Sequence, residues 1–300
     1  VLRKIWAVLI LVVVVGSLIA VAYSVQDGPD YYGGGTDQIV VIRIEGPIIG
    51  GSGGSFFEGG MTWSEDIVAQ IESAAEDPMV DAVIFRINSP GGTVAAGQEI
   101  ANAVDRLRGS GKIAVASMGD TGASAAYWIA SRCDSIVSGP TTATGSIGVI
   151  INTTNFAGLY EKLGIETEVI KSGPLKDMGS PNRPLTGTER DLFQEMVDDM
   201  FSQFVDAVAE GRSLSRDEVL SVADGRVFTG RQAYSLGLVD RLGYFGEAVE
   251  EATELAGLHD PEVVEMGYPN GLFRQLFGGM SVKLVPPGGW MMIIPSFSQR

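Results

Sequence analysis

The stretch SMGDTGASAAYWIASR, residues 117–132, carries a serine placed for nucleophilic chemistry: an apolar strand, a turn of small residues, then a helix starting close to Ser124. A hydroxyl at a helix start sits where unpaired N–H groups and the helix dipole stabilise developing negative charge. The same position also suits a helix N-cap or a packing serine. Attack on a carbonyl needs a base within hydrogen-bond reach, and the only histidine, His259, lies far along the chain in GLHDP. A second turn, NSPGG at residues 88–92, ends another apolar strand. Glycine there lets a backbone N–H approach a ligand closely. Such an N–H, paired with that of Ala125 after the serine, would make an oxyanion hole; a plain strand-to-helix turn would read the same way.

A neutral lysine can take the place of histidine in Ser/Lys variants of the triad. Six of the 21 cationic side chains are lysines. Lys4 lies in or before an apolar N-terminal run, Lys112 starts a strand at its far end from the turn, Lys162 flanks a helix and Lys283 is in the tail. Lys171 and Lys176 remain, both in or bordering the loop KSGPLKDMGSPNRPLTG, residues 171–187. Moving a lysine from ~10.4 to near 7 takes about 3 pKa units, roughly 4–5 kcal/mol of bias toward the neutral amine. Apolar burial can supply that bias and a facing carboxylate cancels it. If Lys176 is the base, Asp177 must therefore point away. A solvated loop lysine is the plain alternative.

The elements that would position these residues alternate. QIVVIRIEG from Gln38, VDAVIFRIN at 80–88, KIAVASMG and DSIVSG read as strands, and helices are expected over 64–75, 95–108 and 122–132. Thr62 and Glu65 suggest a capping box for the first helix. TTATGSIGVI reads as a turn into a strand, FAGLYEKLG as a helix and IETEVIK as a strand. Helices follow over 188–210, from Arg216 and over 245–256. Strand, glycine turn and helix in repetition predict an α/β fold with a mostly parallel sheet, whose strand C-termini gather the site.

Ile5 to Val25 carry no charge, long enough to span a bilayer, with Arg3 and Lys4 before them and Asp27 and Asp30 after. That asymmetry predicts a cytoplasmic N-terminus and an extracytoplasmic remainder. The length favours a retained anchor over a cleaved leader, although Ala20-Val21-Ala22 resembles a cleavage site. The expected organisation is an anchor over 1–25, a Gly-rich linker over 26–37, a catalytic domain over 38–260 and a C-terminal extension over 261–300. That extension is apolar but broken by Gly and Pro, suited to a neighbouring subunit, a membrane surface or a partly ordered tail. Cys133 is the only cysteine, which excludes an internal disulfide and suggests a small buried apolar residue. A net charge of −16 argues against nucleic acid. No His/Cys ligand cluster implies a metal, and no cofactor is expected.

NSPGG, SMGDTGASAAYWIA, TGSIGV, KSGPLKDMGSP and DGRVFTGRQAYSLGLVDRLG occur in an order and spacing that resembles the signal peptide peptidase A family, membrane-anchored serine proteases of the ClpP/crotonase superfamily. The resemblance covers roughly residues 38–257, in a short form with one catalytic domain. It implies a ClpP/crotonase-like spiral of ββα units, Ser124 as nucleophile, Lys176 as general base and Ser146 orienting the lysine amine. It also implies Gly92 and Ala125 as oxyanion donors, apolar peptide substrates and a ring-like homo-oligomer with active sites facing a shared cavity. The family usually has Ser-Gly-Gly where this chain has Ser124-Ala125-Ala126, and the added methyls are expected to narrow the substrate groove. Rival readings are a stomatin-directed protease of the same superfamily, for which further apolar spans would be expected, a crotonase-type acyl-CoA enzyme, and a non-catalytic membrane scaffold.

Overall fold

The computed structural model describes residues 37–53 and 60–266. The apolar run read as an anchor, the Gly-rich linker and the extension beyond 266 lie outside the described residues. Among the described residues no helix is long and apolar enough to cross a membrane.

One sheet organises the fold. Its main path joins β10 (Glu262–Glu265), β1 (Gln38–Glu45), β4 (Val80–Ser89), β5 (Ile113–Ala123), β6 (Ser135–Ser138) and β9 (Arg241–Leu242), all parallel. Parallel neighbours need crossovers, and helices supply them. Helix α1 (Ser64–Glu76) joins the small β2/β3 pair (Ile48–Ile49 and Thr62–Trp63) to β4, α2 (Val94–Gly109) joins β4 to β5, and α3 (Ala125–Ser131) joins β5 to β6.

The strands are apolar on both sides because both sheet faces are covered. Odd and even positions part cleanly. Val40, Ile42 and Ile44 of β1 with Val83, Phe85 and Ile87 of β4 pack with the layer of α1 and α2. Ile39, Val41, Ala82 and Ile84 instead meet Ala248 and Ala252 of α8 (Phe245–Ala256), the helix on the opposite face. Each fully buried Ile or Phe contributes about 1.5–3 kcal/mol, so these strands are held by packing more than by local preference.

Besides β4, β5 serves two further partners. Val115–Met118 pairs with β6, and Thr121–Ala123 pairs with β7 (Ala143–Gly145), which also takes β8 (Val227–Thr229) in an antiparallel pair. The long strand thus carries the chain past the main sheet to Ser124.

Several expectations are met and several are redirected. The capping box at Thr62 does not form: the Thr62 hydroxyl donates to the Glu45 carbonyl at 2.8 Å and accepts the Glu45 N–H at 2.9 Å. It ties β3 to β1 instead, and Trp63 takes the N-cap position without a side-chain cap bond. IETEVIK (165–171) and the residues after Ser146 form no strand, because no described edge pairs with them. The helix FAGLYEKLG is present as α4 (Ala157–Leu163). The folded sheet continues past residue 260, since β10 pairs residue by residue with Gln38–Val41. Cys133 is buried, and burial pushes its thiol pKa up.

Candidate active site

Ser124 occupies the junction between β5 and α3 with φ 55° and ψ −126°. For a residue with a Cβ this is a costly conformation, on the order of 1–3 kcal/mol, held only where surroundings enforce it. Two backbone bonds enforce it here: the Ser124 N–H donates to the Gly145 carbonyl at 2.9 Å, and the Ser124 carbonyl accepts the Trp128 N–H at 2.9 Å. Ser124 stands at the N-cap position of α3, yet its hydroxyl makes no capping bond. The plain N-cap reading of this serine therefore fails, and its Oγ is left for other chemistry.

NSPGG is folded against that junction. A Cβ on Gly91, where φ is 103°, would lie 2.7 Å from the Ser124 Cβ and 3.0 Å from the Ala125 N. Sequence reasoning singled out Gly92 and passed over Gly91, whose signal was the doubled glycine itself. Gly92 bridges to Ile48 through the Gly91 carbonyl, which accepts the Ile48 N–H at 3.0 Å, and the Thr93 N–H, which donates to the Ile48 carbonyl at 2.9 Å. In an extended segment alternate N–H groups point to opposite sides, so the Gly92 N–H faces away from Ile48. The Ala125 N–H, at the first helical position, has no intrahelical acceptor. The Ala125 N–H thus adjoins the serine, and Gly91, the residue before Gly92, is packed against it.

Ser124 follows β5 and Ser146 follows β7: the register pairs Ala123 with Gly145, and the Ser124 N–H reaches the Gly145 carbonyl, the residue before Ser146. Ser146 also has positive φ, 50°, and its N–H donates to the Arg226 carbonyl at 2.9 Å.

The two alanines do not narrow a groove. A Cβ on Gly97 of α2 would come within 2.8 Å of the Ala125 Cβ, so that methyl points into the α2–α3 contact, and Ala126 is fully buried. The expectation from the Ser-Ala-Ala departure is corrected on this point.

The lysine loop leaves the body of the fold. From Ile150 through Ile170 the chain is largely exposed, with Ile150 80% and Ile170 94% accessible. Lys171 and Lys176 differ sharply. The Lys171 Nζ donates to Asp177 Oδ1 at 2.6 Å and to the Pro174 carbonyl at 3.1 Å. Its amine is thus engaged by a carboxylate and a carbonyl of its own loop. The Lys176 side chain is exposed and makes no hydrogen bond or ion pair among the described residues, and none joins it to Ser124. Asp177 points away from it, toward Arg183 and Lys171, and those two cations, Arg183 foremost, hold its carboxyl well below the usual range. Arg183 also grips Glu189, whose oxygens accept at 2.6 and 2.8 Å. Glu189 is pulled down to about 2 by Arg183 first and then by the Thr186 N–H. It closes a capping box with Thr186 at the start of α5 (Gly187–Arg212). His259 is exposed in the turn after α8. Among the described residues no group of three or more His, Cys, Asp or Glu side chains is arranged to hold a metal ion.

The mixed α/β architecture, with its mostly parallel sheet, is similar to a solved structure of a mutant of the membrane-bound stomatin-specific protease 1510-N. The TM-score is 0.51 at 14% identity over 77% of this chain and 98% of that one, a likeness of fold. The profile of peptidase family S49 matches residues 106–259. A Synechocystis chain named as a protease is 46% identical over 209 residues, 69% of this chain and 75% of its relative. An Enterococcus faecium chain named as the signal peptide peptidase SppA is 34% identical over 78% of this chain and 68% of its own length. This chain belongs to peptidase family S49, the signal peptide peptidase A family, and is a serine peptidase.

Proposed function

We propose that the protein is a membrane-anchored endopeptidase that cuts apolar peptides with a Ser124/Lys176 dyad. Neutral Lys176 takes the Ser124 proton as Oγ attacks the scissile carbonyl, and the Gly92 and Ala125 N–H groups hold the oxyanion. The lysine then protonates the leaving amine and activates the water that releases the acyl-enzyme. Ser146 orients the lysine amine. The substrates are remnant signal peptides or other apolar segments at the bilayer, met by a catalytic domain outside the cytoplasm and anchored by the span in 1–25.

The observation that carries this reading is Ser124 itself: a strained, uncapped serine beside the Ala125 N–H with Gly91 packed against it. The lysine assignment is supported by the pairing of Lys171 with Asp177, which leaves Lys176 as the loop amine without a partner among the described residues. Assembly into a homo-oligomeric ring is supported by exposed apolar side chains along the projecting segment, among them Phe156, Leu159, Leu163 and Val169. Covering that surface with another copy would also supply the apolar surroundings that a lysine base needs.

The test is covalent labelling. A fluorophosphonate should modify wild-type protein at Ser124 and leave S124A unlabelled. K176A should lose both labelling and hydrolysis of an apolar fluorogenic peptide while keeping its fold. Full activity in either variant would remove that residue from the dyad. A scaffold would show neither labelling nor hydrolysis in the wild type.

A further inference from the structure

The turn that carries Lys176 is exposed, yet it is cross-braced from within. Lys176, Met178 and Ser180 donate their N–H groups to the carbonyls of Gly173, Leu175 and Asp177 at 3.2, 3.0 and 3.0 Å, three successive tight turns. Charged groups close these turns. The Lys171 Nζ lies 2.6 Å from Asp177 Oδ1, the Arg183 Nε donates to Oδ2 at 3.1 Å, and Nη2 reaches the Asp177 carbonyl at 3.3 Å. The same guanidinium binds both oxygens of Glu189, which is 1% exposed and fixed by the first turn of α5. Arg183 thus ties the turn to a long helix through a buried carboxylate.

A general base beside an aspartate has an electrostatic problem. An amine facing a free carboxylate holds its proton to higher pH, and Asp177 is the immediate neighbour of Lys176. We propose that Lys171 and Arg183 form a cationic clamp on Asp177 that sets the turn carrying Lys176 and keeps the Asp177 carboxylate from pairing with the Lys176 amine. Lys171 and Arg183 are then positioning residues, acting through Asp177 without touching substrate. Among the described residues the charged groups facing Asp177 are these two cations, and Arg183 faces in addition only Glu189. The inference rests on the Ser124/Lys176 reading.

Opposite charge changes test it. The full chain is assayed for kcat/KM on an apolar fluorogenic peptide across pH, alongside the pH dependence of fluorophosphonate labelling at Ser124. K171M removes one cation from Asp177 and should move the acid limb of both profiles up by roughly half to one pH unit, the reach of one partly screened charge. D177N leaves two cations without their carboxylate and should move the limb down. K171M/D177N should lose the upward shift, and R183K should keep more of the wild-type profile than R183Q, which also unpairs the buried Glu189.

An unmoved limb in K171M, or shifts of the same direction in K171M and D177N, would overturn the clamp and leave only a structural brace. K171M that is inactive at every pH would also overturn it, by assigning the base to Lys171. Activity retained in K176A would overturn the dyad itself, a failure visible without any pH profile.

Discussion

The Cβ position of Gly91 lies 2.7 Å from the Cβ of Ser124. That distance is shorter than any real pair of such carbons tolerates, so the residue before the proposed oxyanion donor is glycine because the proposed nucleophile stands against it. With φ at 103°, a side chain there is disfavoured twice over.

Gly91→Ala should therefore act on the site before it acts on the fold. Relieving the overlap moves Ser124 or the Gly91–Gly92 peptide, and the strained position alone costs about 1–3 kcal/mol. Fluorophosphonate labelling should fall at least tenfold while circular dichroism at 25 °C stays native-like. Wild-type labelling rates in G91A would show that the junction has room the geometry denies.

Gly97 and Ala125 form a compensating pair. G97A would set two methyls 2.8 Å apart in the α2–α3 contact, an overpacking worth about 1–3 kcal/mol of stability. A125G alone should cost ~1 kcal/mol from helix preference and a small void. The double variant should be more stable than G97A, and a double-mutant cycle on urea melts reads the coupling. Additive losses would mean that the contact relaxes elsewhere.

On the proposed reading of a homo-oligomeric ring, the dyad is expected to form between copies. S124A and K176A, each inactive alone, should recover up to about a quarter of wild-type activity when co-assembled at random across head-to-tail contacts. Mixtures that stay inactive after confirmed co-assembly would place both residues in one copy.

The Arg183–Glu189 contact predicts an acid limit for the loop. Glu189 is lowered to about 2 in the folded chain, against about 4.3 for a free glutamate. A depressed carboxyl stabilises the fold fully above its unfolded value, and that contribution fades as pH falls from about 4.3 toward about 2. The difference in Tm between wild type and E189Q should be constant from pH 5 to 7 and shrink steadily below pH 4. A difference that grows on acidification would contradict the pairing.

The serine, its flanking glycines and the alternation of strands and helices were legible because each depends on local signals: apolar runs, glycine turns and helix periodicity. IETEVIK read as a strand on the same grounds, but a strand needs an edge to pair with, and the sequence cannot say whether one is available. Thr62 looked like a cap because its spacing to Glu65 is right; the Glu45 backbone, distant in sequence, competed for the same hydroxyl and won. Arg183 drew no attention, since a loop arginine is ordinary until Asp177 and Glu189 are seen on either side of it. The methyls of Ala125 and Ala126 were misjudged for a related reason: their direction is decided by α2, which the serine motif does not contain.

Lys176 stands on an exposed segment with no hydrogen bond to Ser124, and on the proposed reading concentration becomes a control. On the proposed reading a solitary chain has its serine without its base, so hydrolysis should rise faster than linearly with the amount of protein and fade on dilution. Scarce copies would then keep the activity low by themselves.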